Sequence, residues 1–303
     1  MEIYKQINKN KRKTFLFFLL FFILIAGVVY GITYIASPEL TYFYLTLALI
    51  ITLVGSFYSY YNSDKMVLKM ANARPVSKAK EPYLYHTIEG VAIAAGIPVP
   101  KAYVIESEVP NAFATGRNPE NAAVAVTRGL MDLMNREELE GVIAHEMSHI
   151  KNYDILFSTI VIVLAGTIVY LTSMVRRMLF FSGSGGGRKD NKNSNPIFMV
   201  IGLLSIVFAP IAATLAQMAI SRNREYLADA TAANILGYPE GLASALQKLG
   251  TYNNPTQAKK DGFANEATAG LFIVNPLYKN LKAQNFLSTH PPLEERIRIL
   301  RKM

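Results

Sequence analysis

The chain of 303 residues contains no cysteine, and only 17% of its residues are charged. The absence of thiols excludes a disulfide framework and leaves histidine, aspartate and glutamate as the side chains that could hold a metal ion. So few charges, together with a positive mean hydropathy, are unusual for a soluble enzyme. The net charge of +9 suits a nucleic-acid-binding protein, but it equally suits a membrane protein with cationic residues beside its apolar segments.

Four long uncharged runs favour the membrane protein. Thr14 to Ala36 has 23 residues and Leu40 to Tyr61 has 22, and a helix needs about 20 apolar residues to cross a bilayer core. The first run is longer than the apolar centre of a cleaved signal peptide, about 7–15 residues. Ile155 to Val175 and Ile197 to Ile220 are less apolar. They could form a buried hairpin in a soluble domain, but their length favours spanning helices.

The distribution of lysine and arginine predicts the orientation in the membrane. Basic residues precede the first run, between residues 5 and 13, and follow the second, between residues 65 and 80. The positive-inside rule therefore places the N-terminus and residues 62–154 in the cytoplasm. The loop at 176–196 is also basic, which disagrees with four complete crossings. Because the first spans usually dominate the orientation, we predict a multi-pass protein of the cell membrane whose chemistry faces the cytoplasm.

The polar parts predict a few short elements. Glu81 to Ala95 is typical of a helix that ends at Gly96. Ala102 to Glu106 predicts a short strand, and residues 111–127 predict a hairpin. Pro239 to Leu249 predicts a short amphipathic helix.

His145, Glu146 and His149 form the pattern His-Glu-x-x-His on a predicted helix. Asn135 and Glu138 match a capping box at its start. Residues four apart share a helix face, so the two imidazoles can reach one ion while Glu146 lies beside them, placed to hold a water molecule. This pattern is the signature of zinc peptidases, although it has false positives. The sequence therefore predicts one Zn²⁺ per chain.

A catalytic zinc ion has three protein ligands and one open position, and the third ligand is not on this helix. The candidates are Asp154, His86, His290, Glu225 and Asp229. Asp154 points elsewhere if the helix continues beyond His149. Glu225 is favoured because the predicted membrane hairpin returns it to the side of the membrane that holds the histidines. Asp229, four residues later, could orient a ligand histidine. The alternative is a solvent-facing helix whose charges form ion pairs.

Several motifs together resemble the HtpX-type integral-membrane zinc metalloproteases, which are related to the CAAX prenyl endopeptidases. Besides the two N-terminal runs, the motifs are NAFATG at 111–116, AHEMSHI at 144–150, SRNREYLADA at 221–230, FIVNP at 272–276 and THPPLEERI at 289–297. The resemblance implies a cytoplasm-facing endopeptidase that takes part in quality control of membrane proteins.

The resemblance also implies roles for particular residues. It implies a zinc ion on His145, His149 and Glu225, with Glu146 as the catalytic carboxylate and Asp229 as the acid that supports a ligand. His290 matches a histidine that steadies the transition state. Arg222 and Arg296 match arginines of the family. We predict His290 or Arg222 as the oxyanion donor, and we group Arg296 with the substrate-binding residues. The alternative for His290 is a loop histidine without a role.

The NAFATG segment predicts a substrate-binding strand edge. Alanines beside Phe113 make a slim edge, to which an extended substrate can add as another strand through backbone groups. The predicted substrate-binding residues are Asn111, Ala112, Phe113, Ala114 and Thr115. The alternative is an ordinary hairpin strand.

The predicted fold class is a mainly α membrane protein of the α+β type, with four transmembrane helices and a cytoplasmic zincin-like domain that contains a small β-sheet. Residues 1–63 form the N-terminal helix pair. Residues 64–303 form the metalloprotease domain, interrupted by a membrane hairpin at 155–220 with a flexible, Gly/Ser/Asn-rich loop at 181–195.

Three functions compete. The first is a zinc endopeptidase that cleaves misfolded or damaged membrane proteins, with Glu146 as general base. The second is a prenyl-protein (CAAX-type) endopeptidase, which would need a chamber for a lipidated tail and more spans. The third is a catalytically idle membrane scaffold, against which the intact Glu146 argues. The predicted partners are unfolded or misfolded membrane proteins and the lipid bilayer, without nucleic acid, and the oligomeric state is left open.

Overall fold

The structure is a computed structural model that describes residues 38–160, 222–252 and 291–303, with Ile273 and scattered helical positions between residues 12 and 34. Most of the first predicted membrane run lies outside the described residues. So do the fourth run, the third run beyond residue 160, the loop at 181–195 and His290.

Helix α1, Thr41–Met70, follows a 3-10 turn at Pro38–Leu40. The helical stretch Pro38–Met70 is long and apolar enough to cross a membrane, and only 6% of its most apolar window is buried. Large apolar side chains such as Phe43 and Phe57 are 63% and 62% exposed. A helix that is apolar all round and yet unburied is suited to lipid. It is the one such helix in the part of the chain that the structure describes.

A mixed sheet of four strands packs against the end of α1. The strands are β1 (Arg74–Pro75), β2 (Lys101–Ile105), β3 (Ala112–Gly116) and β4 (Ala122–Thr127). Their order is β1-β2-β4-β3, with β2 parallel to β4 and the outer strands antiparallel to their neighbours. The predicted strand and hairpin are therefore confirmed, and β3 is an edge strand.

Further helices pack beside this sheet and on one another. They are α2 (Pro82–Ala95), α3 (Arg128–Leu133), α4 (Arg136–Lys151), α5 (Arg222–Leu236), α6 (Pro239–Thr251) and α7 (Leu293–Leu300). Helices α2 and α4 contact the sheet, α5 and α6 pack against α4, and α7 packs against α6. The α2 C-cap is Gly96, at φ 67°, a left-handed conformation that glycine adopts without steric cost. The predicted helices at 81–95 and 239–249 are thus confirmed.

Helix α4 lies at the centre of the main core. Its Ile143, Met147 and Ile150 are fully buried among side chains of α2, α6 and the sheet. The helix begins with the predicted capping box, since Asn135 and Glu138 satisfy each other's backbone N–H groups.

Helix α4 ends in a tight reversal of the Schellman type. The N–H of Tyr153 donates to the carbonyl of Ile150, and the N–H of Asp154 donates to the carbonyl of His149. Tyr153 has φ 58°, in the left-handed region. These two hydrogen bonds and this conformation define the motif, in which the chain folds back over the last helical turn.

The predicted fold class is confirmed as far as a mainly helical chain with a small mixed sheet and a helix able to span a membrane. Four crossings and the domain boundaries remain predictions.

Candidate metal centre

Two helices bring three ligand atoms together. His145 and His149 on α4 face each other, with 3.3 Å between their Nε2 atoms. The carboxylate of Glu225 on α5 lies 3.6 Å from each of these nitrogens, through Oε2 and Oε1 respectively. In a tetrahedral site with bonds of about 2.0–2.1 Å, ligand atoms are about 3.3–3.4 Å apart. The three side chains therefore fit one ion, and no other such group occurs among the described residues.

The local sequence explains why the ligands converge. The spacing of four places both histidines on one face of α4. Helix α5 packs against α4, and Ala228 and Ala232, which share the helix face of Glu225 by their spacing of three and seven residues, are both buried. A larger side chain there would hold Glu225 away from the histidines.

A carboxylate and a guanidinium lie behind His145. Oδ1 of Asp229 is 2.9 Å from Nδ1 of His145, although the approach is poorly aligned for a hydrogen bond. Arg296 donates from Nε and Nη2 to Asp229 at 2.8 and 2.7 Å, and its Nη1 is 3.6 Å from Oε2 of Glu225. Arg296 is fully buried. The structure thus places it inside the protein, behind the ligands, and not at a surface where it could touch substrate.

These charges shift one another's pKa values in the metal-free state. Burial opposes a charge on His145, but Asp229 and Glu225 outweigh it and raise its pKa to about 9. Burial also disfavours the charge of Asp229, but Arg296 outweighs it and lowers the pKa to about 2. Opposite charges on neighbouring side chains therefore stabilise one another in this site, and such ion pairs hold the side chains in fixed positions.

Glu146 joins the ligand group to the edge of the sheet. Its side chain is buried, and Oε2 accepts a hydrogen bond of 2.9 Å from the N–H of Ala114 on β3. Burial raises the pKa of Glu146, while His145 and His149 oppose that rise. A carboxylate with a raised pKa beside a metal site is suited to accept and release a proton.

The predicted substrate strand is β3 with the residue before it. The side chains of Asn111, Ala112, Phe113 and Thr115 are buried, so only the backbone of the strand could meet a substrate. The outer side of β3 is already contacted at two points. Glu146 binds the N–H of Ala114, and the hydroxyl of Thr159 accepts from the N–H of Gly116 at 3.3 Å.

Asp154 does not point away from the histidines, as it would on a continuing helix. Because α4 ends at Lys151 and the chain reverses at Tyr153, Oδ2 of Asp154 lies 3.3 Å from Nδ1 of His149. Nη1 of Arg224 lies 3.9 Å from Oδ1 of Asp154. The sequence carries no signal for this turn, because tyrosine stands where glycine usually marks a Schellman motif.

The other candidates lie elsewhere. His86 is half exposed on α2, where it pairs with Glu89 at 3.1 Å and does not belong to the ligand group. Arg222 is exposed at the first residue of α5. His290 is outside the described residues, and its role stays a prediction.

Two histidines and a glutamate around one point, with a further glutamate beside them on the same helix, define a metallopeptidase site. The comparisons agree with this class. Residues 78–303 match the family model of Peptidase family M48, and the chain belongs to this family.

Curated relatives match nearly the whole chain. A protease HtpX homolog of Dictyoglomus turgidum is 45% identical over 99% of this chain and 94% of its own length. A protease HtpX homolog of Streptococcus gordonii is 44% identical over 99% of this chain and all of its own length. One from Desulfatibacillum aliphaticivorans is 50% identical over 84% of this chain and 79% of its own. The resemblance inferred from the motifs is confirmed.

A crystal structure of S. mikatae Ste24p also aligns with the chain. The identity is 21% and the TM-score 0.47, and the alignment covers 96% of this chain and 66% of that one.

Proposed function

We propose that the protein is a membrane-embedded zinc endopeptidase that cleaves misfolded or damaged membrane proteins at the cytoplasmic face of the cell membrane. The observation that carries this proposal is the position of Glu146, between the three ligand atoms and the backbone of the edge strand. Two imidazoles and one carboxylate form a ligand set that catalytic zinc sites use.

His145, His149 and Glu225 would hold the metal ion, which would supply Lewis-acid activation of a water molecule and of the scissile carbonyl. Glu146 supplies the proton transfers: its carboxylate takes a proton from water and passes it to the leaving amine. The hydrogen bond from Ala114 fixes the direction of that carboxylate. For the oxyanion we keep His290 or Arg222 as donor, because a developing charge responds strongly to a placed donor.

The proposed binding surface for substrate is the backbone of β3, at the main-chain groups that Glu146 and Thr159 do not occupy. An extended segment that pairs with a strand edge binds through main-chain groups, with little selection of side chains. That mode suits a protease of unfolded segments. Because buried side chains cannot reach the substrate, we restrict Asn111, Ala112, Phe113 and Thr115 to a backbone role and keep Ala114, which is partly exposed. We withdraw Arg296 from the substrate-binding set for the same reason.

A contact between β3 and the apolar helix supports a site at the membrane surface. Arg117, directly after β3, donates to the backbone carbonyl of Tyr61 at 3.3 Å. The guanidinium of Arg117 also lies 5.1 Å from the centre of the Tyr61 ring. Tyr61 is the last residue of the second uncharged run. The strand edge therefore lies beside the end of the segment proposed to cross the bilayer.

Glu146→Gln tests the proposal. The purified full chain in detergent, supplied with zinc, should cleave an unfolded test protein such as casein, and the variant should lose about 10²–10⁴-fold in rate. Glu140→Gln, which removes a partly exposed carboxylate that pairs with Arg136 on the same helix, is the control and should cleave normally.

Equal cleavage by wild type and Glu146→Gln would contradict the protease mechanism and favour the idle scaffold. A strong preference for a prenylated peptide over its unprenylated form would favour the prenyl-protein endopeptidase. Elemental analysis of the wild type identifies the metal.

A further inference from the structure

The reversal after α4 brings Asp154 back over its own helix. In a Schellman motif the second residue beyond the helix cap meets the last full turn, and an apolar contact usually joins them. Here those two residues are Asp154 and His149, and a carboxylate–imidazole contact of 3.3 Å takes the place of the apolar one. Tyr153 adopts a left-handed conformation that is unfavourable for a side chain of its kind, so the fold tolerates strain at this turn.

The contact lies on the far side of the imidazole from the ligand group. Nε2 of His149 faces His145 and Glu225, whereas Nδ1 faces Asp154. A carboxylate accepts hydrogen bonds and donates none, so we assign the proton of the neutral ring to Nδ1. The lone pair of Nε2 is then directed at the point where the three ligands meet.

The two histidines have parallel surroundings. Behind His145 stands the carboxylate of Asp229, which is held by a guanidinium, that of Arg296. Behind His149 stands Asp154, with the guanidinium of Arg224 3.9 Å away. The Arg224 guanidinium also lies 5.7 Å from the ring centre of Phe157, three residues beyond Asp154. Arg224 is adjacent to Glu225, so this second chain of contacts joins the end of α4 to the helix that carries the third ligand.

We propose that Asp154 is a positioning residue of the metal centre, which holds His149 in its metal-binding tautomer and orientation, and that Arg224 fixes Asp154 to α5. The inference rests on the metal-binding part of the function proposed above. A carboxylate on the second nitrogen of a ligand histidine sets the orientation of the ring and raises its basicity, and its loss typically weakens metal binding about 10–100-fold.

Metal affinity of the intact chain tests the inference without reference to catalysis. The dissociation constants for Zn²⁺ and Co²⁺ are measured by chelator competition on the purified, detergent-solubilised protein, and the visible spectrum of the Co²⁺ form reports the geometry. Asp154→Ala should bind about 10–100-fold more weakly, with an altered spectrum. Asp154→Asn, which keeps an acceptor oxygen, should lose less. Arg224→Gln should shift in the same direction, by less than Asp154→Ala.

Glu140→Gln is the matched control, since it removes a partly exposed carboxylate from the same helix, outside the ligand group, and should leave both measurements unchanged. Thermal unfolding of the metal-free proteins distinguishes a role of Asp154 in stability alone from a role in positioning the metal centre. If the Asp154 variants unfold at lower temperature but bind metal with wild-type affinity and spectrum, Asp154 does not position the site. If Asp154→Ala fails to fold, Asp154→Asn and Arg224→Gln decide by the same criterion. If the wild type itself binds neither ion, the proposed function fails together with this inference.

Discussion

Arg296 shows how much depends on a single side chain in this protein. It is fully buried, forms two hydrogen bonds to Asp229 and lies 3.6 Å from Glu225. A buried ion pair contributes little net stability by comparison with a well-packed apolar pair, but removal of one partner leaves an uncompensated charge in the interior. Arg296 therefore balances the buried negative charges of Asp229 and Glu225, and its role is structural and not catalytic.

Arg296→Met should lower the free energy of unfolding by about 3–5 kcal/mol, because the charge of Asp229 loses its buried partner. Denaturant unfolding of the metal-free protein in detergent measures the change. Arg298→Met on the same helix is the control. Its side chain is 65% exposed, and its Nη2 lies 3.9 Å from Oε1 of Glu295, which is also exposed, so we expect a change below about 0.5 kcal/mol. Similar effects of the two substitutions would contradict the proposed charge balance.

At the scale of elements, the crossing of α4 and α6 sets the position of the catalytic helix. A methyl group added at Gly141 of α4 would lie 2.6 Å from the backbone nitrogen of Leu242, and one added at Gly241 of α6 would lie 2.6 Å from the carbonyl oxygen of Glu137. The two backbones are therefore in direct contact, and glycine is required on both sides. This close approach is what lets α4 occupy the centre of the core.

Gly141→Ala should destabilise the protein by about 1–3 kcal/mol, the usual cost of overpacking a tight contact. For Gly90→Ala we expect the opposite effect on stability. Gly90 lies within α2 with open space around it, so alanine should stabilise that helix by about 0.5–1 kcal/mol. Thermal unfolding of both variants beside the wild type checks the signs. Stabilisation by Gly141→Ala would show that the helices are not in contact at this residue.

For the whole molecule, the relation between the apolar helix and the sheet decides where the chemistry takes place. The exposed apolar surface of α1 suits a bilayer, and Arg117 links the end of β3 to Tyr61, where the uncharged run of that helix ends. The absence of cysteine makes the orientation accessible to experiment, because a single introduced thiol is then the only one in the chain.

Cysteine labelling with a membrane-impermeant maleimide on intact spheroplasts checks the cytoplasmic orientation. Glu39→Cys, before α1, should be labelled directly, whereas Glu120→Cys, after β3, should be labelled only once the membrane is permeabilised. Both positions are exposed, and Ile51→Cys in the middle of α1 is a control that should label poorly in either state. Direct labelling at Glu120→Cys together with protection at Glu39→Cys would reverse the proposed orientation.

Features that depend on neighbours within a few residues were predictable from the sequence. The capping box at Asn135, the end of α2 at Gly96 and the common face of His145 and His149 follow from backbone geometry within one or two turns. The reversal at Tyr153 is also local, but it was missed because its residue contradicts the usual preference for glycine. The interpretation of Asp154 failed for that reason alone.

Features that depend on contacts between distant segments needed the tertiary structure. The sequence by itself determined the class of chemistry, since two histidines four residues apart with a glutamate beside them on one helix have few other uses. The length of the apolar runs also predicted that the protein lies in a membrane. The sequence could not decide which side chains contact the ligands from the side away from the metal. Arg296, for example, contacts Asp229, which is 67 residues away in the chain. The packing of α5 against α4 likewise joins distant segments. Such contacts depend on packing geometry, which residue spacing does not specify.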